Sequence, residues 1–565
     1  MEEKRFVHLR NGKIYSTTGV GRESAADAAT PPTTDHLLKT DLVLDTASGR
    51  IVDVWSTDDS QQQPTSVALP PADDTRVIDL EGKLVLPGPH DSHIHVLGLG
   101  KMLSYLHLKE VGSMGELKDK LRAYVDAKRN AGELQPGRWV VGFGWDQDLM
   151  GHNGYPSRQD LDEVVPDVPV LLLRACLHIG VTNTAGLRAA GITRDTPSPP
   201  GGQIDKDPQG EPTGIVRELA LDQVQRLIEN DRETLKKYIE TAIKYCVSVG
   251  LTAVHANDDA PAWQLYEELQ QEGKLPIRVY LTVYHHELDR PDIPKPLSQT
   301  GLLECHRVKI IADGSLGAET AALRQPYVGK DAKGLLIYSR PTLVSMVKKA
   351  HDLGYRLEVH AIGDEAAEAV LEAFEKAGVQ PEDRPILTHC QILGPDLLDT
   401  MARLGVIANV QPQFVTTDSL WLHKRVQPEV LPYCYAWKTM LGKGIRVAGG
   451  SDAPIELPDP FLGLYAAIFR HDTNKQTWRE EERLTFDEAL HIYTASGAFT
   501  AKREDELGSL ERGKKADFVV VSHRVDLDPA LLAHHGPDQV WVDGRLRWHS
   551  AMGREVGARG KTCSC

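Results

Sequence analysis

The chain has 565 residues, 41% of them hydrophobic and 25% charged, and a formal net charge of −16. Those proportions suit a soluble globular protein with a large core. The acidic surplus argues against nucleic acid and anionic membranes as partners, and no apolar run nears the roughly 20 residues that span a bilayer.

At the N-terminus, Met1-Glu2-Glu3-Lys4-Arg5 leads into no apolar segment of a secretory signal, so a cytoplasmic location is expected. Phe6-Val7-His8-Leu9 and Lys13-Ile14-Tyr15 flank Asn11-Gly12, which predicts a hairpin. Leu42-Val43-Leu44 and Ile51-Val52-Asp53-Val54-Trp55 flank Ser48-Gly49 in the same way. The polar segments 16–40 and 56–74 read as solvated loops.

Next comes Leu84-Val85-Leu86-Pro87-Gly88-Pro89-His90-Asp91-Ser92-His93-Ile94-His95, an apolar run that breaks at Pro-Gly and delivers His-x-His. Residues two apart on an extended backbone face the same side, so His93 and His95 can offer two imidazoles to one ion. Eight strand-like runs follow in order: Leu84–Leu86, Leu251–Val254, Val279–Val283, Val308–Ile311, Arg356–Val359, Pro385–Leu387, Val406–Val410 and Arg446–Ala448. Helical patterns at 233–249, 342–353 and 364–376 alternate with them, and another near 485–496 opens with the capping-box pattern Thr485-Phe486-Asp487-Glu488. This alternation predicts an α/β protein, a (β/α)8 TIM barrel with its reactive groups at the C-terminal ends of the strands.

Residues 138–221 break the alternation with strand-like Trp139–Gly144 and Val170–Leu173 and a loop around Pro199-Pro200-Gly201-Gly202. They read as an insertion after barrel strand 1, of the kind expected to roof an active site. The C-terminal strands Ala516–Val521, Val540–Val542 and Arg545–Trp548 are too few for a domain of their own. The expected organisation is therefore a small β-sandwich from residues 1–83 and 500–565, the start of the barrel at 84–137, the insertion at 138–221 and the rest of the barrel at 222–499. The seven cysteines, at 176, 246, 305, 390, 434, 563 and 565, form no Cys-x-x-Cys pair and suggest reduced thiols. Cys563-Ser564-Cys565 does not match a prenylation box and reads as a tail.

The strand ends carry the chemistry. Lys309 sits inside the apolar run Val308–Ile311, where an unpartnered ammonium is costly. A lysine made neutral by burial can react with CO2, giving a carbamate whose two oxygens could bridge two metal ions. His360 and His389 end the fifth and sixth strands, and Gly449-Gly450-Ser451-Asp452 brings Asp452 to the same rim after the eighth. Four imidazoles, one lysine and one carboxylate would converge on a single barrel mouth.

In these residues the chain resembles the amidohydrolase superfamily, in its YtcJ-like branch, which includes N-substituted formamide deformylase. The resemblance runs from about Phe6 to Trp548. It is carried by Leu86-Pro87-Gly88 with Asp91–His95, Gly142–Asp146, Gly210–Gly214, Val308-Lys309 with Asp313–Gly317, Thr320–Ala322, His360–Asp364 and Gly450–Pro454. Two stretches depart from the family pattern, Pro89-His90 and Arg174-Ala175-Cys176-Leu177-His178.

The resemblance implies one or two Zn2+ ions per chain. His93 and His95 would hold one, His360 and His389 a second, with carbamylated Lys309 bridging and Asp452 completing the ligand set. It implies hydrolysis of a non-peptide C–N bond in a small N-acyl, N-formyl or cyclic amide by a metal-bound hydroxide, with Asp452 as proton shuttle. Trp145 and His178, on the insertion, are candidate substrate contacts, and relatives suggest a homodimer. The alternatives are an esterase, lactonase or carbamate hydrolase using the same metal centre, and a non-catalytic barrel that binds.

Overall fold

The computed structural model describes residues 4–16, 38–56, 70–109, 111–134, 137–147, 149–150, 155–174, 178–199, 201–228, 231–522 and 529–552. The chain divides into two compact units, Lys101–Tyr238 and the remainder.

Eight parallel strands build the larger unit: β1 (His90–Ile94), β2 (Ala253–Asn257), β3 (Arg278–Tyr284), β4 (Leu303–Ile311), β5 (Arg356–Ala361), β6 (Ile386–His389), β7 (Ile407–Val410) and β8 (Val447–Gly449). They pair in sequence order from β1 to β8. The seam is drawn together just past β8. There the Asp452 N–H donates to His93 O at 2.8 Å and the His95 N–H to Ala453 O at 2.9 Å. Below them the buried Asp91 carboxylate accepts from Ser451 Oγ at 2.5 Å and from the Ser451 N–H at 3.1 Å. Gly450 is required at this point, because a Cβ there would sit 2.7 Å from His93 N.

The expected (β/α)8 barrel is present, with one correction. Leu84–Pro87 is not the first barrel strand but lies in the sandwich, between Lys13–Tyr15 and Phe518–Val521. Its side chains are apolar on both faces and suit a buried sheet. The strand that enters the barrel, His90-Asp91-Ser92-His93-Ile94, is polar yet fully buried, because the barrel interior is itself polar. Gly88 separates the two, and a Cβ there would meet Thr252 Oγ1 at 2.4 Å.

The outer helices follow from the sequence pattern. In Asp364–Ala377 the residues Ala366, Ala367, Val370, Leu371 and Phe374 form one buried stripe, and Gly378 ends the helix at φ 75°. Ser339 caps Arg340–Asp352 by accepting from the Thr342 N–H. The capping box at Thr485 and Glu488 is formed, but the helix it opens, Phe486–Tyr493, breaks at Thr494 before a short helix, Ala495–Thr500.

The β-sandwich joins both termini. One sheet orders Arg545–His549, Pro537–Val542, Phe518–Val521, Leu84–Pro87, Lys13–Tyr15 and Leu38–Lys39. The other orders Arg50–Trp55, Asp41–Asp45, Phe6–Arg10 and Thr75–Asp79. Leu9, Ile14, Leu44, Val85, Phe518 and Trp541 share its core. The hairpin around Ser48-Gly49 forms, with Gly49 at φ 67°. The one expected at Asn11-Gly12 does not: Phe6–Arg10 and Lys13–Tyr15 enter different sheets. Gly12 passes so close over Leu80 that a Cβ would meet its Cδ1 at 2.5 Å, so the turn carries the chain from one sheet to the other.

The smaller unit holds a six-stranded sheet ordered Gly202–Lys206, Pro212–Glu218, Ile179–Thr182, Val170–Arg174, Val140–Trp145 and Leu106–His107. It extends beyond the 138–221 segment on both sides. No helix among the described residues is long and apolar enough to cross a membrane. Cys246, Cys305, Cys390 and Cys434 are free and buried, while Cys176, Cys563 and Cys565 lie outside the described residues.

Candidate metal centre

Lys309 and Glu358 are register partners on β4 and β5, so their side chains share the inner face of the barrel. Glu358 and His360 lie two apart on β5 and face the same way. His93 is near the end of β1, and His95 just follows it. His389 and Asp452 occupy left-handed backbone, at φ 81° and 57°. Non-glycine residues adopt that conformation only where surrounding contacts hold them, as at functional sites.

Three imidazoles are held by the same device. His93 Nδ1 meets Glu358 Oε1 at 2.6 Å, His95 Nδ1 meets Asn257 O at 3.1 Å, and His389 Nδ1 meets Gln411 Oε1 at 2.8 Å. With Nδ1 donating to an oxygen, each ring keeps Nε2 as its free lone pair. The Nε2 atoms of His93 and His95 lie 3.3 and 3.2 Å from Asp452 Oδ1. Ligand atoms of His93, His389 and Asp452 all fall within 4.8 Å of one another. Lys309 Nζ stands 3.4 Å from His93 Nε2 and 3.5 Å from Glu358 Oε1.

Burial and close partners shift the protonation of these groups in opposite directions. Burial and Lys309 both push the His93 pKa down, yet hydrogen bonds to Asp452 and Glu358 outweigh them and raise it. Burial pushes Asp452 up, but its contacts with His93 and His95 hold it well below the ordinary carboxylate value. These opposite shifts favour a proton held between His93 and Asp452, the position a metal ion would take. Burial lowers Lys309. Burial, then His360, keeps His389 well below the ordinary imidazole value, and therefore neutral. Imidazole nitrogens beside a carboxylate form a donor set that fits zinc.

The structure brings His93, His95, Lys309, His389 and Asp452 together. The His360 ring is 4.4 Å from that of His389, but its Nε2 faces Asp313 Oδ1 at 3.2 Å and Gly314 O at 3.1 Å. Asp313 is itself fixed by the N–H groups of Ala322, Ile362 and Gly363. His90 is not part of the centre and packs against Tyr280 and His255. Trp145 is fully buried in the core of the smaller unit, with its indole N–H on Leu172 O at 2.8 Å. That placement corrects the expected substrate contact to a packing role. His178 is exposed and pairs with Glu218 at 3.0 Å, while Ala175, Cys176 and Leu177 lie outside the described residues. A second possible grouping, Asp259, His286 and Glu287, is mostly exposed, and its Glu287 carboxylate is engaged by the Ala260 N–H.

Sequence reasoning missed the residues that hold the ligands: Glu358, Gln411, Asn257 and Asp91. Only Glu358 left a trace, as Glu-x-His on a buried strand.

The fold, with this polar cluster at the C-terminal ends of its strands, defines a class. The chain belongs to the amidohydrolase family, whose family model matches residues 76–547. It is 36% identical over 471 residues to "Putative amidohydrolase YtcJ" of Bacillus subtilis (strain 168), covering 81% of this chain and 88% of that one. It is 29% identical over 503 residues to N-substituted formamide deformylase of Arthrobacter pascens, covering 84% and 90%. The crystal structure of a metal-dependent hydrolase from Pyrococcus furiosus aligns with a TM-score of 0.73 at 30% identity, over 93% of this chain and 99% of that one. The YtcJ-like resemblance seen in the motifs is therefore borne out.

Proposed function

We propose that this chain is a metal-dependent hydrolase that cleaves a non-peptide C–N bond in a small N-acyl, N-formyl or cyclic amide. The observation that carries this reading is the convergence of the His93 and His95 Nε2 atoms on Asp452, with His389 alongside. His93, His95, His389 and Asp452 would hold zinc. Lys309, N-carboxylated, would add two oxygens for a second ion near His360 and His389. Bound zinc lowers the pKa of water from 15.7 to about 7 and polarises a carbonyl oxygen.

The rest is the work of this chain's side chains. Asp452 accepts the proton of the attacking water and passes it to the departing nitrogen, which leaves as an amine. Glu358, Asn257 and Gln411 fix the rings, so that the donors need not reorganise during turnover. The formamide deformylase relative supports a C–N bond as the target.

The test is turnover of the zinc-loaded protein on matched N-formyl, N-acyl, carbamate and ester compounds. Amide cleavage at least tenfold faster than ester cleavage is expected. Faster ester or carbamate cleavage would move the same centre to a C–O bond or carbamate substrate. A relative whose name is regulatory, "Exoenzymes regulatory protein AepA", 27% identical over 58% of this chain, supports a non-catalytic role as the second reading. Full zinc occupancy without turnover on any of these compounds would support that role.

A further inference from the structure

The opposite end of the barrel, at the N-terminal side of its strands, holds a second polar cluster that the metal centre does not use. Arg307 on β4 and Arg356 on β5 are register partners, 1% and 6% exposed. They lie two residues before Lys309 and Glu358 on the same strands, one layer further down the barrel. Both guanidiniums donate to the same acceptor, Thr500 O at the end of helix Ala495–Thr500, Arg356 through Nη1 at 2.9 Å. Arg307 Nη1 also lies 3.1 Å from His255 Nδ1. The His255 ring is 4.9 Å from that of Tyr280 and 5.9 Å from that of His90, and Tyr280 is 6.1 Å from His306.

This layer is rich in unmet hydrogen-bonding groups. Arg307 Nε, Arg356 Nε and Nη2, Tyr280 OH, His255 Nε2, His90 Nδ1 and His306 Nδ1 are all buried without a partner. Buried polar groups are almost always paired, with protein, water or an ion, so such a concentration calls for a partner in this layer. The carboxylates nearest this layer are bonded elsewhere. Glu304 is engaged by His306 at 2.6 Å and Arg503 at 2.8 Å, Glu358 by His93 and Lys309, and Glu504 by Arg384. No carboxylate among the described residues forms an ion pair with Arg307 or Arg356. The Thr500 carbonyl contributes only the partial negative charge of a helix C-terminus. Glu358 and Glu304 act on Arg307 and Arg356 through space without bonding to either, so water alone would leave the free guanidinium donors with no anion bound to them.

We propose that the barrel floor binds a small inorganic anion, chloride in class, between Arg307 and Arg356 with the Tyr280 hydroxyl as a further donor. A monatomic anion suits the packing here, because helix Ala495–Thr500 is pressed so close that a Cβ on Gly497 would lie 2.4 Å from His90 Cβ. Burial holds His90 and His306 down to about 4, so both imidazoles are neutral near pH 7 and add no positive charge to this layer.

The test uses the intact, metal-loaded protein. Crystals soaked in bromide and measured at the bromine absorption edge should show an anomalous peak between the two guanidiniums. In solution, chloride titrated against gluconate at constant ionic strength should raise the unfolding midpoint saturably by about 3 °C or more. Arg356→Met should abolish that dependence. If that variant does not fold, the wild-type titration and the anomalous map still decide. A bromide-free floor filled by water, or a midpoint indifferent to chloride, would overturn the proposal. Neither readout involves turnover, so failure here leaves the hydrolase reading untouched.

Discussion

Glu358 Oε1 lies 2.6 Å from His93 Nδ1, and both side chains are sealed from solvent. The carboxylate fixes the imidazole tautomer and makes its other nitrogen a better ligand. Glu358→Gln keeps the shape and removes the charge, and is expected to weaken zinc binding by about 10- to 100-fold. Competition with a chromophoric chelator reads this directly. Unchanged affinity would reduce Glu358 to a packing element.

Asp452 is the proposed proton carrier, and its amide isostere separates that role from ligation. At saturating zinc, Asp452→Asn should keep the metal on His93, His95 and His389 while kcat falls by about 10^2- to 10^4-fold. Zinc content and steady-state rates measured on one preparation check both halves. Near-normal turnover would remove Asp452 from proton transfer.

The barrel seam depends on Asp91 and Ser451. Burial pushes Asp91 up to about 6 even though Ser451 and the His93 N–H donate to it. Ser451→Ala leaves a buried carboxyl oxygen short of a donor and should cost about 1–3 kcal/mol. Chemical denaturation should show a lower midpoint with an unchanged slope. An unchanged midpoint would mean that the seam is held by the backbone bonds alone.

Asp459 gives a pH signature remote from the metal ligands. It caps helix Pro460–Phe469 through the Phe461 and Leu462 N–H groups, and burial pushes it up to about 6. A raised carboxyl pKa means that the folded state holds the proton more tightly. Stability is then greatest below the unfolded value and falls as pH rises toward 6 and beyond. The full penalty above pH 7 is roughly 3 kcal/mol at 1.36 kcal/mol per unit. Asp459→Asn keeps a capping oxygen and lacks this term. Relative to wild type it should be about 1 kcal/mol more favourable at pH 8 than at pH 5, read from unfolding curves at the two pH values. A difference that does not change with pH would contradict a raised Asp459 pKa.

Seven of the eight barrel strands were legible because apolar, β-branched runs mark buried parallel strands. β1 was not, since His90 to His93 are polar residues buried by a polar barrel interior, and hydrophobicity points to Leu84–Pro87 instead. The Asn11-Gly12 turn shows the matching limit: local turn chemistry was right, but strand partners were chosen by packing against Leu80. For the site, strand-end positions pointed to His93, His95, Lys309, His360, His389 and Asp452 as one convergent set, and of these His360 Nε2 faces Asp313 and Gly314 O instead. Position could not show which ring nitrogen each would offer, because that is decided by Glu358, Asn257 and Gln411 from other strands. Trp145 misled because an aromatic in a family motif does not reveal whether its face is open or packed, and here its N–H is used inside its own sheet.

Metal content after exhaustive dialysis tests the centre most directly, with wild type measured beside His389→Ala and His360→Ala. One or two zinc equivalents per wild-type chain are predicted, falling clearly in His389→Ala, and in His360→Ala by the second equivalent where two are bound, while circular dichroism stays native. A metal-free wild type, or a His389→Ala variant that holds as much zinc as wild type, would contradict it.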